Sequence, residues 1–238
     1  MSQNIFITGT SRGLGLAMAR EFLNNGHAVH GCSRGECPLE RKFPNHYRHQ
    51  QIDLADETAG RTALDKLIKG VNRFDLVVLN AGILPPIRDL KDTPLETLRE
   101  TMEINVWANK WILDAVLSMP AKPDHVMAIS SGAAVSGSRG WNAYSVSKAA
   151  LNMLIKLYAA EEPEVHFTAL APGLVDTAMQ DYISSIEDDA DYDTIQRLKA
   201  AKNTPDMPSA EETARSIIQI LDTLKKRESG AFVDIRKL

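Results

Sequence analysis

The 238-residue chain is poor in cysteine and aromatic residues and carries no strong excess of either charge. Its only cysteines are Cys32 and Cys37. Two thiols exclude a disulfide framework, and without a second ligand pair they make a poor zinc site, so no metal is expected. The 27 basic and 31 acidic residues leave a net charge of −4. That balance argues against a broad nucleic-acid-binding surface, which needs a basic excess. No apolar run approaches the roughly 20 residues that span a bilayer, so no membrane partner is expected. The opening MSQNIFITGTSRG has no basic leader followed by a long apolar stretch, and a cytoplasmic location is expected. No repeat and no Gly-, Ser- or Pro-rich linker divides the chain. One domain spanning 1–238 is the simplest reading, and it is long enough to bury a substantial core.

What the chain does have is an alternation of strand and helix signals. Asn4–Thr8, Ala28–Cys32, Arg48–Asp53, Phe74–Leu79, His125–Ser130, Val165–Ala171 and Ala231–Ile235 read as strands. Helical stretches are expected at Gly13–Asn25, Glu57–Lys69, Pro94–Met119, Tyr144–Ala160 and Ser209–Lys225. Pro94 suits a first helical position behind an Asp92 or Thr93 cap, and Pro120 ends that helix. The pattern implies an α/β fold, a doubly wound parallel sheet of Rossmann type in a single domain. The stretch from about 174 to 208 breaks the rhythm. It is polar, holds the acidic run Glu187-Asp188-Asp189-Ala190-Asp191, and is expected to be a helical, mobile flap near the mouth of a site.

Two local patterns carry chemistry. The first is Thr8-Gly9-Thr10-Ser11-Arg12-Gly13-Leu14-Gly15, between the first strand and the first helix. Glycines there free the turn and clear the approach of a phosphate to a helix N-terminus. The second is Tyr144 and Lys148, four residues apart and so on one helix face. A free tyrosine loses its proton only near pH of about 10, and a neighbouring lysine cation is expected to lower that value.

In its ordered set of motifs the chain resembles the short-chain dehydrogenase/reductase family, in its main, shorter subfamily. The motifs are the T-G-x-x-x-G-x-G turn, Asn80-Ala81-Gly82 after the fourth strand, Asn105 in the next helix, Ser131 after the fifth strand, Tyr144 with Lys148, and Pro172-Gly173 after the sixth strand. The resemblance implies an oxidoreductase that interconverts a carbonyl and an alcohol by hydride transfer. Tyr144 is then the acid/base, Lys148 its support and a ribose contact, and Ser131 rather than its neighbour Ser130 the hydroxyl on the substrate oxygen. Asn105 is implied to sit at a local helix distortion holding a water of the proton relay.

The same resemblance implies cofactor contacts from Gly9, Ser11, Arg12, Gly13, Leu14 and Gly15. It adds Asp53 and Leu54 at the adenine, and Asn80, Ala81 and Gly82. Pro172, Gly173, Val175 and Thr177 would lie along the nicotinamide and pyrophosphate. At the end of the second strand Ser33 stands where an acidic residue would favour NAD, and Arg34 follows it. Arg12 and Arg34 are implied to clamp a 2′-phosphate, which favours NADP(H) over NAD(H). An epimerase or dehydratase on the same fold, or an NADP(H)-binding sensor with little turnover, remain alternative readings. The partner is a small carbonyl or alcohol. A homodimer or homotetramer is implied, and only Ile235–Leu238 follow Gly230-Ala231-Phe232-Val233-Asp234, where tetrameric relatives commonly carry a longer tail.

Overall fold

The computed structural model of the chain describes residues 2–187 and 190–238. Asp188 and Asp189 of the acidic run lie outside the described residues. The strands are β1 (Asn4–Thr8), β2 (Ala28–Ser33), β3 (Tyr47–Gln51), β4 (Leu76–Leu79), β5 (His125–Ile129), β6 (His166–Ala171) and β7 (Ala231–Asp234). Among the described residues they form one parallel sheet in the order β3-β2-β1-β4-β5-β6-β7. Strand order reverses between β1 and β4, and a crevice opens there at the C-terminal strand ends.

The helices are α1 (Gly13–Asn24), α2 (Leu39–Lys42), α3 (Glu57–Ile68), α4 (Leu95–Met102), α5 (Ala108–Leu117), α6 (Ala133–Ser136), α7 (Asn142–Glu161), α8 (Ala178–Ser184), α9 (Asp193–Ala201), α10 (Ala210–Gln219) and α11 (Leu221–Leu224). Successive strand residues point to opposite faces, and each face has its own helical cover. Ile5, Ile7, Val29, Val78 and Met127 pack with Met18 and Phe22 of α1 and Ala214 and Ile217 of α10. Phe6, Val77, Leu79, Val126 and Ala128 pack with Leu64 of α3, Trp111 and Ile112 of α5, and Leu151 and Ile155 of α7. A sheet covered on both faces needs strands that are apolar throughout, and β4 and β5 are buried at every residue. Gly60 lets α3 and α5 close, because a Cβ there would meet the Trp111 ring at 3.0 Å.

The expected elements are present with shifted ends. The Pro94–Met119 helix is in fact three pieces: α4, a π-helical segment at Glu103–Trp107, and α5. Pro94 is the residue before α4, with ψ at 140°, and no side chain caps that helix. That extended ψ leaves Pro94 outside the helix, so α4 starts one residue later than the sequence implies. The Ser209–Lys225 helix breaks at Ile220 into α10 and α11. Its start is as expected: Ser209 and Glu212 form a reciprocal capping box.

The 174–208 excursion is helical, as α8 and α9. Its two ends meet: the Asp176 N–H donates to Pro208 O at 2.9 Å, and Asp176 bridges to Ser209. Ile183, Ile195 and Leu198 form its buried contact with Trp141 and Tyr144. Displacing an insertion whose ends meet in this way would leave the pairs of the seven-stranded sheet intact. Amides of α8 and α9 are therefore expected to exchange with solvent well before those of β4 and β5. Hydrogen-exchange mass spectrometry of the free protein checks this; equal protection of flap and central strands would contradict it.

Candidate active site

The motif loops converge above the crevice. Gly9 and Gly13 take positive φ of 77° and 57°, the region glycine enters without strain. The Gly9 and Thr10 N–H groups donate to Cys32 O at 2.7 and 3.2 Å, tying the turn to β2. A Cβ on Gly15 would lie 2.3 Å from Gly9 O and 2.4 Å from the Asn80 amide nitrogen. Asn80 Nδ2 donates to Thr8 O at 2.9 Å, while the Asn80 and Ala81 N–H groups both donate to Thr8 Oγ1 at 2.9 Å. The Asn80-Ala81-Gly82 segment is thus a latch holding the end of β4 to the glycine turn. Thr8 heads the glycine motif, but its pairing with Asn80, 72 residues away, is not legible from the sequence.

The turn suits a dinucleotide phosphate. Arg12, in the N-cap position of α1, makes no side-chain cap, and the first turn of α1 holds no acidic residue. Its orphan N–H groups are available to an anion. Thr177 approaches from across the crevice, its methyl 3.5 Å from where a Cβ of Gly13 would stand. Ser11 and Leu14 belong to the same turn. Arg12 and Arg34 are exposed, and among the described residues neither has a carboxylate partner. Ser33 Oγ donates to Gly35 O at 2.9 Å and pairs with His49 Nε2 at 2.8 Å. His49 is thus a neighbour of this end that its position in the sequence does not suggest. Asp53 accepts from the Ala55 N–H at 3.1 Å, closing a turn, and Leu54 is buried.

The catalytic candidates meet on the other side of the crevice. Tyr144 and Lys148 are 8 % and 4 % exposed. Lys148 Nζ lies 5.7 Å from the Tyr144 ring centroid and donates to Ile129 O at 2.8 Å. Gly82 makes room: a Cβ there would lie 3.1 Å from Asn105 Oδ1 and 3.5 Å from Lys148 Nζ. Asn105 sits in the π-helical segment, buried, as the expected helix distortion. Its Oδ1 accepts from the Ile83 N–H at 2.8 Å, and its Nδ2 donates to Ile83 O and Ser147 Oγ, each at 3.0 Å. Its backbone carbonyl accepts from Asn109 Nδ2 at 2.8 Å. Asn105 therefore works here as a brace between the π segment, the loop after β4 and α7.

Ser130 is buried and its hydroxyl donates to Asn152 at 2.5 Å. Ser131 Oγ accepts the local Ala133 N–H at 3.1 Å, and its hydroxyl neighbours the Tyr144 phenol. Burial pushes the Tyr144 phenol up, with Ser131 pulling the other way. The sequence implies a lysine-lowered phenol; desolvation wins instead, and it also pushes Lys148 down to about 8. Pro172 precedes Gly173, which has φ of 79° and packs under the Arg236 side chain, 3.4 Å from its Cδ by the built Cβ. Val175 packs partly buried against the core beneath. A cleft of about 740 Å³, lined by Arg61, Asp65 and Asp114, lies at the N-terminal edge of β4 and β5, away from this chemistry. Cys32 and Cys37 are free and buried. Among the described residues no cluster of His, Cys, Asp or Glu suits a metal ion, and no helix is long and apolar enough to cross a membrane.

Known proteins resemble this chain along its length. The sequence model of the short chain dehydrogenase family matches residues 3–188. An uncharacterized oxidoreductase of Schizosaccharomyces pombe is 31% identical, over 97% of this chain and 95% of its own length. Benzil reductase ((S)-benzoin forming) of Bacillus subtilis is 30% identical over 97% of both chains. The crystal structure of a short chain dehydrogenase/reductase from Saccharomyces cerevisiae superposes with a TM-score of 0.88 at 24% identity, over 98% of this chain and 96% of that one. The chain belongs to the short-chain dehydrogenase/reductase family of nicotinamide-dependent oxidoreductases.

Proposed function

We propose that this oxidoreductase is an NADPH-dependent carbonyl reductase acting on small apolar ketones. The observation that carries the reading is the buried Tyr144–Lys148 pair, with Ser131 beside it, at the floor of an apolar cluster formed by Trp141, Ile183, Ile195 and Leu198. Benzil, named for the Bacillus relative, is a substrate of the kind such a cluster would admit.

NADPH, when bound, supplies the hydride. The chain's residues do the rest. The α1 N-terminus and the glycine turn would hold the NADPH phosphates, with Thr177 beside Gly13. Ser131 and Tyr144 donate hydrogen bonds to the carbonyl oxygen. As a C–H bond forms at the carbonyl carbon, the π pair moves to oxygen, and the Tyr144 Oη–H bond breaks to deliver the proton. A phenol pushed up by burial holds the proton it must give. An ammonium pushed down to about 8 still carries its charge in most molecules at neutral pH, and it offsets the phenolate left behind. Asn105 acts as a positioning residue for the loop that carries Gly82.

Tyr144→Phe is expected to keep the fold and NADPH affinity while cutting turnover on the order of 10²–10⁴-fold. Lys148→Ala should lose turnover and cofactor affinity together, and Ser131→Ala turnover alone. Single-turnover rates and cofactor titrations check this; near-normal hydride transfer by Tyr144→Phe would move the proton source elsewhere. An absence of NADPH oxidation across a carbonyl panel would instead favour an epimerase, a dehydratase or a sensor.

The preference for NADPH is assigned to Arg12 and Arg34, both exposed and, among the described residues, free of carboxylates. Replacing both with alanine should weaken NADPH far more than NADH, by about 1.5–3 kcal/mol for each charge-assisted hydrogen bond removed. Dissociation constants shifting equally for the two cofactors would contradict the assignment.

The exposed Val146, Met153 and Leu157 recur at 7- and 4-residue spacings along one face of α7, and the exposed Trp107 lies on the π segment packed against that helix. This surface is assigned to a homodimer. Sedimentation equilibrium should give twice the chain mass, falling to one chain for Met153→Asp with Leu157→Asp; a wild-type monomer would contradict it.

A further inference from the structure

Trp141 stands three residues before Tyr144, and its ring centroid is 5.7 Å from that of the tyrosine, tilted by 53°. It is only 7 % exposed, and its indole Nε1 has no hydrogen-bond partner among the described residues. Buried N–H groups are nearly always paired, because desolvating one without an acceptor is costly. The indole lies in the apolar cluster with Ile183, Ile195 and Leu198 from the flap, joined by the partly buried Leu84 and Tyr192. Trp111 also has an unpaired indole nitrogen, but that ring lies in the packing of α3 on α5, under the Arg61 guanidinium. Trp141 alone of the two shares a cluster with the catalytic tyrosine.

The Trp141 backbone is fixed from both sides. Gly140 O accepts from the Arg88 N–H at 3.3 Å. Asn142 Nδ2 donates to Pro86 O and Arg88 O at 3.1 Å each, and to Thr93 Oγ1 at 2.9 Å. Gly140, with φ of 86°, leaves the space that the Tyr192 and Ile87 side chains fill; a Cβ there would meet them at 2.8 and 2.9 Å. The ring is thus held on the loop after β4, beneath the flap. A donor held this way adds little ordering cost when it finds an acceptor.

We propose that Trp141 is a specificity-determining residue whose Nε1–H binds a second oxygen of the substrate, on the carbon next to the carbonyl reduced at Tyr144. The substrate class is then the vicinal dicarbonyl, or the ketone with an adjacent oxygen, carrying apolar aryl or alkyl groups. Those groups pack on the indole face, Ile183 and Leu198. This inference rests on the carbonyl-reductase reading. It adds a residue that touches substrate without taking part in the proton transfer, so its loss changes choice between substrates rather than the chemistry.

The test compares benzil with deoxybenzoin, the same skeleton lacking one carbonyl oxygen, using NADPH and the full chain. Intrinsic reactivity differs between the two ketones, so the readout is the ratio of their kcat/KM values in wild type and in Trp141→Phe. Phe keeps an aromatic ring and deletes the donor. The ratio of benzil to deoxybenzoin should fall about three- to tenfold in the variant, the range of one neutral hydrogen bond, because packing lost with the indole ring acts on both ketones and cancels in the ratio. A ratio unchanged by Trp141→Phe overturns the proposal and leaves the carbonyl-reductase reading standing. A wild-type protein that oxidises NADPH with neither ketone overturns both. Should melting curves show that Trp141→Phe does not fold, benzothienylalanine at position 141 replaces the N–H by sulfur at nearly constant shape, and the same ratio decides.

Discussion

The arrangement of the site turns on one buried cation. Lys148 is almost fully enclosed, and the acceptor its ammonium holds is the Ile129 carbonyl. Burying a charge with so little compensation is expensive, and proteins keep such groups where the charge has work to do. The surroundings of Lys148 make sense as accommodation. Gly82 has no side chain because a Cβ would crowd both the ammonium and Asn105. The π segment turns Asn105 inward, where its amide satisfies both backbone groups of Ile83 and reaches Ser147. Ser147 in turn donates to Tyr144 O at 2.8 Å. Loop, π segment and catalytic helix are thereby braced as one body around the tyrosine and the lysine.

A second brace sets the cofactor side. The Thr8 hydroxyl takes two N–H groups from the end of β4, and Asn80 returns a bond to β1. These contacts close the gap at which strand order reverses. They let the glycine turn and the Asn80-Ala81-Gly82 segment face one crevice, with the first-turn N–H groups of α1 left free. The glycine turn and the buried pair share β4 and the loop after it, so the proposed cofactor and catalytic edges of the crevice are geometrically linked. The 174–208 excursion meets Trp141 and Tyr144 through a few apolar contacts, which suits its proposed part in admitting and releasing substrate.

Local features of this fold are legible in the sequence. The glycine turn, the four-residue step from Tyr144 to Lys148, the Ser209 cap and the apolar runs of β4 and β5 each depend on neighbours along the chain. Asn105 stands out as an unfavourable helix residue, yet the helix around it reads as continuous. A π turn adds one residue to a turn, and the apolar pattern of Val106, Trp111 and Ile112 does not reveal it. Pro94 reads one position too far into its helix for a similar reason, since proline suits both sides of that boundary. Illegible features are those made by distant pairing. Thr8 is 72 residues from Asn80, Asn105 is 42 from Ser147, and Ser33 is 16 from His49. The direction of the Tyr144 shift belongs with these, because burial depends on the flap, which no spacing between tyrosine and lysine encodes.

The ammonium beside Tyr144 is desolvated enough to be easily titrated while still charged near neutral pH. The direct measurement is an NMR titration of the Lys148 side chain in protein labelled with ¹³C at lysine Cε, assigned with Lys148→Ala. The expected midpoint is near 8, well below the ordinary 10.5. A Lys148 resonance titrating at the ordinary value, with the protein folded, would contradict it.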